Sequence, residues 1–375
     1  MSQETVTFPG PVRVGVQALV RDYAGIRPDD VWALLYALDS RESAAWLSVV
    51  LSGYRIRPRL VPMRPLVDSG VEDRLREALP PPGDVPGRLV LVTLESDSMS
   101  HFEEIVRVLE PYSPSRTVVL RVINSCAEFF EQALNLSPGQ LTSINATLLS
   151  YLLEETRIEV TSPGGTHLAV ELDPGKYEWI SNRGEWRPGG FTILPPGEIA
   201  TFPADISGVL VADGAINCNS LINLDLRLRE HPVTIHLAAG EAKDFSCDDA
   251  EISRFVAESF DRANGRRVGE LGFGTNRGIR RFVSGNSHVN ERHPGVHLGF
   301  GQHNQTQDRV PYYCPFHVDM ITDGATITTS SNRVIELASF EPIPVNHPAD
   351  LRDEDIVGDC CGLGYREARL SQPRR

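Results

Sequence analysis

The chain has 375 residues, with 36 Lys and Arg against 50 Asp and Glu and a formal net charge of −14. Its hydrophobic content of 41% and charged content of 23% are typical of a globular protein and exclude global disorder. A single core stops growing at roughly 250–300 residues, so this length predicts two domains. The acidic balance argues against a protein that binds nucleic acid through a basic face.

No segment has the character of a membrane or secretory signal. The apolar runs Val31–Leu38 and Leu89–Leu94 are shorter than the roughly 20 residues that span a bilayer, and the first residues lack a signal-peptide pattern. Six cysteines in so long a chain do not indicate a disulfide framework. The adjacent Cys360 and Cys361 are interpreted as two unrelated thiols, with a redox pair as the alternative. We therefore expect a cytoplasmic protein without membrane or nucleic-acid partners.

The first half of the chain alternates short apolar runs with helical patterns. The apolar runs begin near Val31, Arg59, Arg88 and Arg116, and are typical of strands buried on both faces. A helical pattern follows each run. Strands that alternate with helices need crossover connections and therefore form a parallel sheet. The sequence predicts an open parallel-sheet α/β (Rossmann-like) domain over residues 1–156.

The second half is rich in glycine, proline and short alternating segments. Arg157–Thr161 and Thr166–Leu172 flank Ser-Pro-Gly-Gly, which predicts a β-hairpin. One amphipathic helix is predicted over Asp248–Asp261. These patterns predict a β-rich domain over residues 157–340 and a C-terminal extension over residues 341–375.

The histidines provide the strongest chemical signal. Five of the 10 histidines fall between positions 288 and 317. On a strand, His317 and Asp319 project from the same face, because strand side chains alternate between faces. An imidazole beside a carboxylate is half of a metal site, which makes this pair a candidate.

Two acids and one further histidine stand among glycines. Glu270 lies in the glycine-rich segment Gly269–Asn276, which is either a tight turn with an exposed glutamate or a close approach of backbone to a ligand. No Lys-Ser/Thr follows these glycines, so a phosphate-binding loop is rejected. Glu198 follows Pro-Pro-Gly at a turn, and His297 stands in a glycine-spaced strand pattern over Gly295–Gly301.

Four motifs, taken in chain order, resemble the thermophilic metallo-aminopeptidase family of the aminopeptidase T and S types. They are Pro-Gly-Glu198, Gly-Glu270-Leu-Gly-Phe-Gly-Thr-Asn, His297-Leu-Gly-Phe-Gly and His317-Val-Asp319. The ring-cleaving dihydroxypyridine dioxygenases share that fold. The resemblance extends from about residue 12 to residue 338, with its specific motifs between 195 and 319. It implies an α/β domain followed by a β-rich, metallo-aminopeptidase-like domain.

The resemblance also implies a metal site and a homodimer. Glu270, His297, His317 and Asp319 would be ligands of two divalent ions, zinc or cobalt. Glu198 would be a further ligand or the general base that moves a proton during hydrolysis. The function implied is a metal-dependent hydrolase that acts on a peptide or small amide.

The chain follows the peptidases at Glu270 but neither group at Asn304, which leaves alternatives open. Asn304 stands where the peptidases carry a tyrosine, and we assign it a catalytic role in place of that tyrosine. The dioxygenases carry histidine where Glu270 stands, yet iron(II) held by His297, His317 and a carboxylate would suit an iron-dependent ring-cleaving dioxygenase. The other alternative is a non-catalytic peptide-binding protein, with a degenerate site and no metal, that assists maturation of a ribosomally made peptide natural product.

Arginines around the glycine-rich motif suggest recognition of acidic groups. Guanidinium groups bind carboxylates through paired hydrogen bonds, so Arg277 and Arg280, together with His303, are candidate contacts for a substrate carboxylate. The alternative is an ordinary solvated face.

Overall fold

A computed structural model describes the protein at residues 8–96, 100–219, 222, 224–285, 287–349 and 351. The chain divides into two units, each assembled from two stretches of sequence. Unit 1 comprises Met1–Pro138 with Gly184–Pro195, and unit 2 comprises Gly139–Arg183 with Pro196–Arg375.

The secondary structure of the described residues combines short helices with many strands. The α-helices are α1 (Gly10–Ala18), α2 (Arg41–Gly53), α3 (Val71–Ala78), α4 (Phe102–Leu109), α5 (Ala127–Gln132), α6 (Pro138–Leu152), α7 (Ala250–Phe260) and α8 (His288–Arg292). The strands are β1 (Val31–Ala37), β2 (Arg59–Met63), β3 (Leu89–Glu95), β4 (Thr117–Ile123), β5 (Arg157–Thr161), β6 (His167–Glu171), β7 (Ile180–Asn182), β8 (Phe191–Leu194), β9 (Glu198–Thr201), β10 (Asp205–Ala212), β11 (Ala215–Cys218), β12 (Val233–Ala238), β13 (Glu241–Ser246), β14 (Val268–Gly274), β15 (Gly295–Gly301), β16 (His317–Ile321), β17 (Thr326–Thr329) and β18 (Val334–Glu336). No helix in these ranges is long and apolar enough to cross a membrane. Cys360 and Cys361 lie outside the described residues, so their interpretation stays a prediction.

Unit 1 contains a five-stranded parallel sheet in the order β2-β1-β3-β4-β8. All seven residues of β3 and all seven of β4 are buried, which explains their continuous apolar sequences. The predicted α/β domain with a parallel sheet is confirmed.

The units divide the chain differently from the predicted boundaries at residues 156 and 340. Strand β8 belongs to unit 1 because it pairs in parallel with β4. Helix α6 belongs to unit 2, where Leu148, Leu149 and Leu152 pack in the same core as Ile158 and Val160 of β5. Pairing between strands distant in sequence is not visible in local patterns, so these exchanges could not be read from the chain.

Unit 2 contains two antiparallel sheets, which confirms the predicted β-rich architecture. The seven-stranded sheet has the order β13-β12-β10-β6-β5-β17-β18 and includes the predicted hairpin β5–β6. The six-stranded sheet has the order β11-β16-β15-β14-β9-β7. Helix α7 begins after Asp249, whose carboxylate accepts from the backbone N–H groups of Glu251 and Ile252 at 2.9 Å.

The central strands of the six-stranded sheet alternate between an apolar and a polar face. One face carries large apolar side chains such as Leu271, Phe273, Leu298 and Phe300, which pack in the core of unit 2. The other face carries acids, histidines and glycines, and it is also buried. Because strand side chains alternate, a single run of sequence builds the core and this polar face together.

Candidate metal centre

Four consecutive strands of the six-stranded sheet bring the predicted ligands to one face. The residues are Glu198 on β9, Glu270 on β14, His297 on β15, and His317 and Asp319 on β16. All of these side chains are buried, with residue exposures between 1% and 7%. Gly269–Asn276 is therefore mainly a strand, and Glu270 is an interior acid instead of an exposed turn residue.

Two glycines leave the space that the imidazoles occupy. A Cβ atom at Gly272, which pairs with His297, would lie 1.9 Å from His297 Nε2. A Cβ atom at Gly299, which pairs with Asp319, would lie 2.5 Å from His317 Cε1. Both contacts are closer than non-bonded atoms approach, so any larger residue would displace an imidazole. The glycine spacing of these strands thus has a steric reason.

Glu198, Glu270 and His297 form the most compact group that could hold a metal ion. Their three ligand atoms all lie within 4.8 Å of one another. His297 Nε2 is 2.9 Å from Glu198 Oε1 and 3.8 Å from Glu270 Oε1. Ligand atoms that share one ion at bond lengths near 2.1 Å lie about 3–3.5 Å apart, so small adjustments suffice for coordination.

Several atoms of this group lack hydrogen bonds among the described residues. Glu270 Oε2 and His297 Nδ1 are buried without a hydrogen-bond partner among the described residues, and His297 Nε2 lies 2.9 Å from Glu198 Oε1. A buried polar atom without a partner costs about 1–3 kcal/mol, more when charged. A cation bound between these atoms would remove that cost, so the residues present fit a divalent metal ion.

His317 and Asp319 extend the group beside Glu270. His317 Nδ1 lies 2.8 Å from the backbone oxygen of Gln302, and its Nε2 lies 3.0 Å from Asp319 Oδ1 and 3.9 Å from Glu270 Oε2. An imidazole that donates through one nitrogen to a backbone carbonyl presents the other nitrogen as a ligand. Imidazole and carboxylate ligands together suit zinc, cobalt or iron(II).

The electrostatics of the group favour charge on the imidazoles. Burial lowers the pKa of His297, but contacts with Glu198 and Glu270 outweigh burial and raise that pKa to about 10. Burial likewise opposes the charged form of His317, whose pKa is nevertheless raised well above its usual value by Asp319. Burial raises the pKa of Asp319 to about 6. The surplus of buried carboxylates thus holds positive charge at the positions where a metal ion would supply it.

Arg292, Glu291 and Asn217 belong to the centre and were missed by sequence reasoning. Arg292 Nη1 lies 2.6 Å from Glu198 Oε2 and 2.8 Å from Glu291 Oε2. Asn217 Nδ2 donates to Glu291 Oε1. Burial opposes ionisation of Glu198, but the charge of Arg292 holds its pKa below the usual value. The available signal was the Glu-Arg pair that closely precedes the glycine-spaced histidine motif.

The segment after β15 places Asn304 beside the strand that carries Glu270. Asn304 donates its backbone N–H to Gly269 O at 3.4 Å, and its side-chain Oδ1 accepts from Gln305 Nε2 at 3.0 Å. Asn304 Nδ2 is buried without a hydrogen-bond partner among the described residues. This amide is therefore a donor available to a ligand, whereas its catalytic role stays a prediction.

The predicted carboxylate contacts make interactions of a different kind. Arg277 donates to Leu337 O at 3.2 Å and to Phe340 O, and its guanidinium lies over the Phe340 ring. The His303 ring contacts Tyr312 O at 2.9 Å and accepts from Gln305 N at 3.2 Å. Arg280 is exposed. Arg277 thus holds the segment that follows β18, and substrate contacts at these residues stay predictions.

Fold and site together define a class of protein: an α/β unit and an antiparallel β unit that carries a buried group of carboxylates and imidazoles suited to a metal ion. Comparison with solved structures finds the same fold. The structure of 2,5-dihydroxypyridine dioxygenase from Pseudomonas putida KT2440 matches with a TM-score of 0.56 and 12% identity over 94% of this chain and 98% of that one. Wild-type AmpT from Thermus thermophilus matches with a TM-score of 0.53 and 13% identity over 88% of this chain and 98% of that one.

A family model gives a more particular match. The model described as crocagin biosynthetic protein CgnE/B matches residues 201–330, which include Glu270, His297, His317 and Asp319 but not Glu198. No curated protein matches the chain. The expected AmpT-like fold is confirmed, and identities of 12% and 13% carry no conclusion about activity.

Proposed function

We propose that this chain is a metal-dependent enzyme that acts on a peptide or small amide in the biosynthesis of a natural product. The observation that carries the proposal is the buried meeting of Glu198, Glu270 and His297, with ligand atoms within 4.8 Å and unpartnered atoms on Glu270 and His297. Here buried polar atoms without partners converge with carboxylates on one point, which favours a ligand site over an ordinary core position. The match of residues 201–330 to a crocagin biosynthetic family model supports the biosynthetic setting.

Each residue of the centre has a distinct part in this proposal. Glu270 and His297 would hold the ion together with His317, whose Nε2 lies 3.9 Å from Glu270 Oε2, and Asp319 would orient His317. A divalent ion bound there supplies Lewis acidity and lowers the pKa of a water molecule towards about 7.

Proton transfer and substrate binding fall to the remaining polar side chains. Glu198, whose second carboxylate oxygen is held by Arg292, accepts a proton from the attacking water as general base. Asn304 Nδ2 donates to the substrate carbonyl, because it is a buried donor without an acceptor in the part of the chain that the structure describes.

A second candidate function is a peptide-binding protein that does not turn over its ligand. The 2.6 Å contact between Arg292 and Glu198 favours it, since a guanidinium already neutralises one candidate ligand. Asn304 favours it as well, because an amide is a weaker metal ligand than a phenolate.

Metal analysis combined with a cleavage assay separates these functions. The protein is purified without chelator, supplemented with zinc, cobalt or iron(II), and incubated with a library of unmodified peptides that is followed by mass spectrometry. We expect bound zinc or cobalt and peptide cleavage that stops when the metal is chelated.

The matched variant for this assay is Glu198→Gln, which keeps the size of the side chain and removes the proposed base. It should retain metal and lose cleavage by roughly 100-fold or more. Peptides retained intact by protein that takes up no metal would support the second candidate. Bound iron, together with oxygen consumption when a dihydroxylated aromatic compound is added, would instead support the dioxygenase function.

A further inference from the structure

We infer that Arg292 occupies the position of a second cation, so that the centre accepts one metal ion and not two. This inference rests on the proposed metal site, and it concerns which positions of that site remain open. The guanidinium atom Nη1 bridges Glu198 Oε2 at 2.6 Å and Glu291 Oε2 at 2.8 Å. An ion shared between two carboxylates would sit in a comparable position.

The backbone fixes Arg292 at this place. Asn276 donates its N–H to Arg292 O at 3.0 Å. A Cβ atom at Gly274 would lie 2.5 Å from Glu291 O and 1.9 Å from His293 O, so the end of α8 packs directly on β14. Gly274 in turn pairs with Glu198 across β14 and β9. The guanidinium is thus held against Glu198 by the packing of a helix on a strand.

Burial makes the guanidinium a permanent competitor for a second ion. Arg292 is 5% exposed, and Glu291 and Glu198 are 3% and 7% exposed. Arginine does not lose its proton in proteins, so its charge cannot be removed to admit a metal ion. Two like charges a few ångströms apart repel strongly where water is excluded. The carboxylate oxygens that face Arg292 are therefore unavailable to a second divalent ion.

The positions away from Arg292 remain open to the first ion. Glu198 Oε1 faces His297, and the oxygens of Glu270 face His297 and His317. The centre thus divides into a metal position near the two imidazoles and a guanidinium position between two carboxylates. In this arrangement Arg292 is a positioning residue that fixes Glu198 and sets the metal stoichiometry.

The experiment compares the metal content of the native protein with that of Arg292→Gln and Arg292→Lys. Each protein is dialysed against Co²⁺, and cobalt per chain is measured by elemental analysis alongside circular dichroism. We expect one equivalent in the native protein, one in Arg292→Lys, which keeps the charge, and two in Arg292→Gln. The native protein loaded with Mn²⁺ should give the electron paramagnetic resonance spectrum of an isolated ion, a measurement that does not depend on the folding of any variant.

The outcomes separate this inference from the proposed function. Two cobalt ions, or a spin-coupled manganese pair, in the native protein would overturn the inference and leave the metal-dependent function standing. One equivalent in both the native protein and a folded Arg292→Gln variant would do the same. No metal in the native protein but uptake by Arg292→Gln would remove the proposed function and overturn the single-ion stoichiometry, because Arg292 would then exclude every ion. No uptake by either protein would overturn both.

Discussion

The central strands of two sheets in this molecule are equally buried but have opposite chemistry. In unit 1, β3 and β4 bury all seven residues each, and their sequences are almost continuously apolar. In unit 2, β14 and β15 also bury all seven residues each, yet four of the seven in each strand are glycine, acid or histidine. Burying a polar strand face gains less from hydrophobic packing than burying an apolar one. The polar pattern of β14 and β15 therefore indicates a site, whereas the apolar pattern of β3 and β4 indicates a core.

The buried charges differ between the same two sheets. In unit 1, Arg121 lies 3.5 Å from Glu95, and both side chains are 1% exposed, so a buried cation meets a buried anion. In unit 2, the carboxylates of Glu198, Glu270, Glu291 and Asp319 each contact the guanidinium of Arg292 or an imidazole of His297 or His317. A balanced pair needs no further ligand, whereas a surplus of carboxylates provides the charge that attracts a metal ion.

The largest expected effect on metal binding comes from His317→Ala. We expect uptake of zinc or cobalt to be abolished while the protein stays folded, because the truncated side chain belongs to the polar face and not to the apolar core of unit 2. His167→Ala, at an exposed position on β6, is the matched control and should bind metal normally. Unchanged uptake by a folded His317→Ala protein would remove His317 from the site.

Gly272→Ala should weaken metal binding by roughly 100-fold, the order seen when a ligand loses its orientation. The added methyl group would meet His297 Nε2 at 1.9 Å and push the ring from its place. Gly139→Ala in α6 is the control, since a Cβ atom there meets nothing within 4 Å. Isothermal titration of both variants with Zn²⁺ checks this, and equal affinities would show that the glycines have no part in the site.

Bound metal should protect one sheet and not the other from hydrogen exchange. A ligand at 100 times its Kd stabilises a protein by about 2.7 kcal/mol, so amides of β14, β15 and β16 that exchange through unfolding of unit 2 should slow by up to about 100-fold. Amides of β3 and β4 should not change. Mass spectrometry with and without Zn²⁺ measures both sets, and equal protection of the two sheets would contradict a metal site confined to unit 2.

The smallest effect on metal binding is expected from Leu91→Ala in β3. This leucine is fully buried in the core of unit 1, so its truncation should lower the free energy of unfolding by about 2–5 kcal/mol. The Kd for Zn²⁺ in the folded protein should stay unchanged. Denaturant unfolding and metal titration of the same sample make the test, which fails if stability and metal affinity fall together.

Parts of the fold were predictable because residues close together in the sequence determine them. Continuous apolar runs indicated β1, β3 and β4, since a strand buried on both faces has no polar positions. The turn residues between β5 and β6 indicated the hairpin, and the amphipathic pattern over Asp248–Asp261 indicated α7. The alternation in His317-Val-Asp319 correctly predicted two side chains on one strand face.

The rest could not be predicted because its cause is distant in sequence. The glycine-rich segment that forms β14 was equally consistent with a turn, and only the imidazole opposite Gly272 explains its glycines as strand residues. Arg292 meets Glu198 from a different element, and Asn217 reaches Glu291 across 74 positions of the chain. Neither contact produces a periodic pattern in the amino-acid sequence.

Strands β14, β15 and β16 carry the polar centre on one face and part of the apolar core on the other, so a shift in register would disturb both. Deleting one residue at the start of any of these strands would turn its acids or histidines towards Leu298 and its neighbours and turn its leucines and phenylalanines outwards. Such a strand can change through point replacements but not through gains or losses of single residues. In natural variants of this protein, differences in length should therefore accumulate in the connecting loops and spare these three segments.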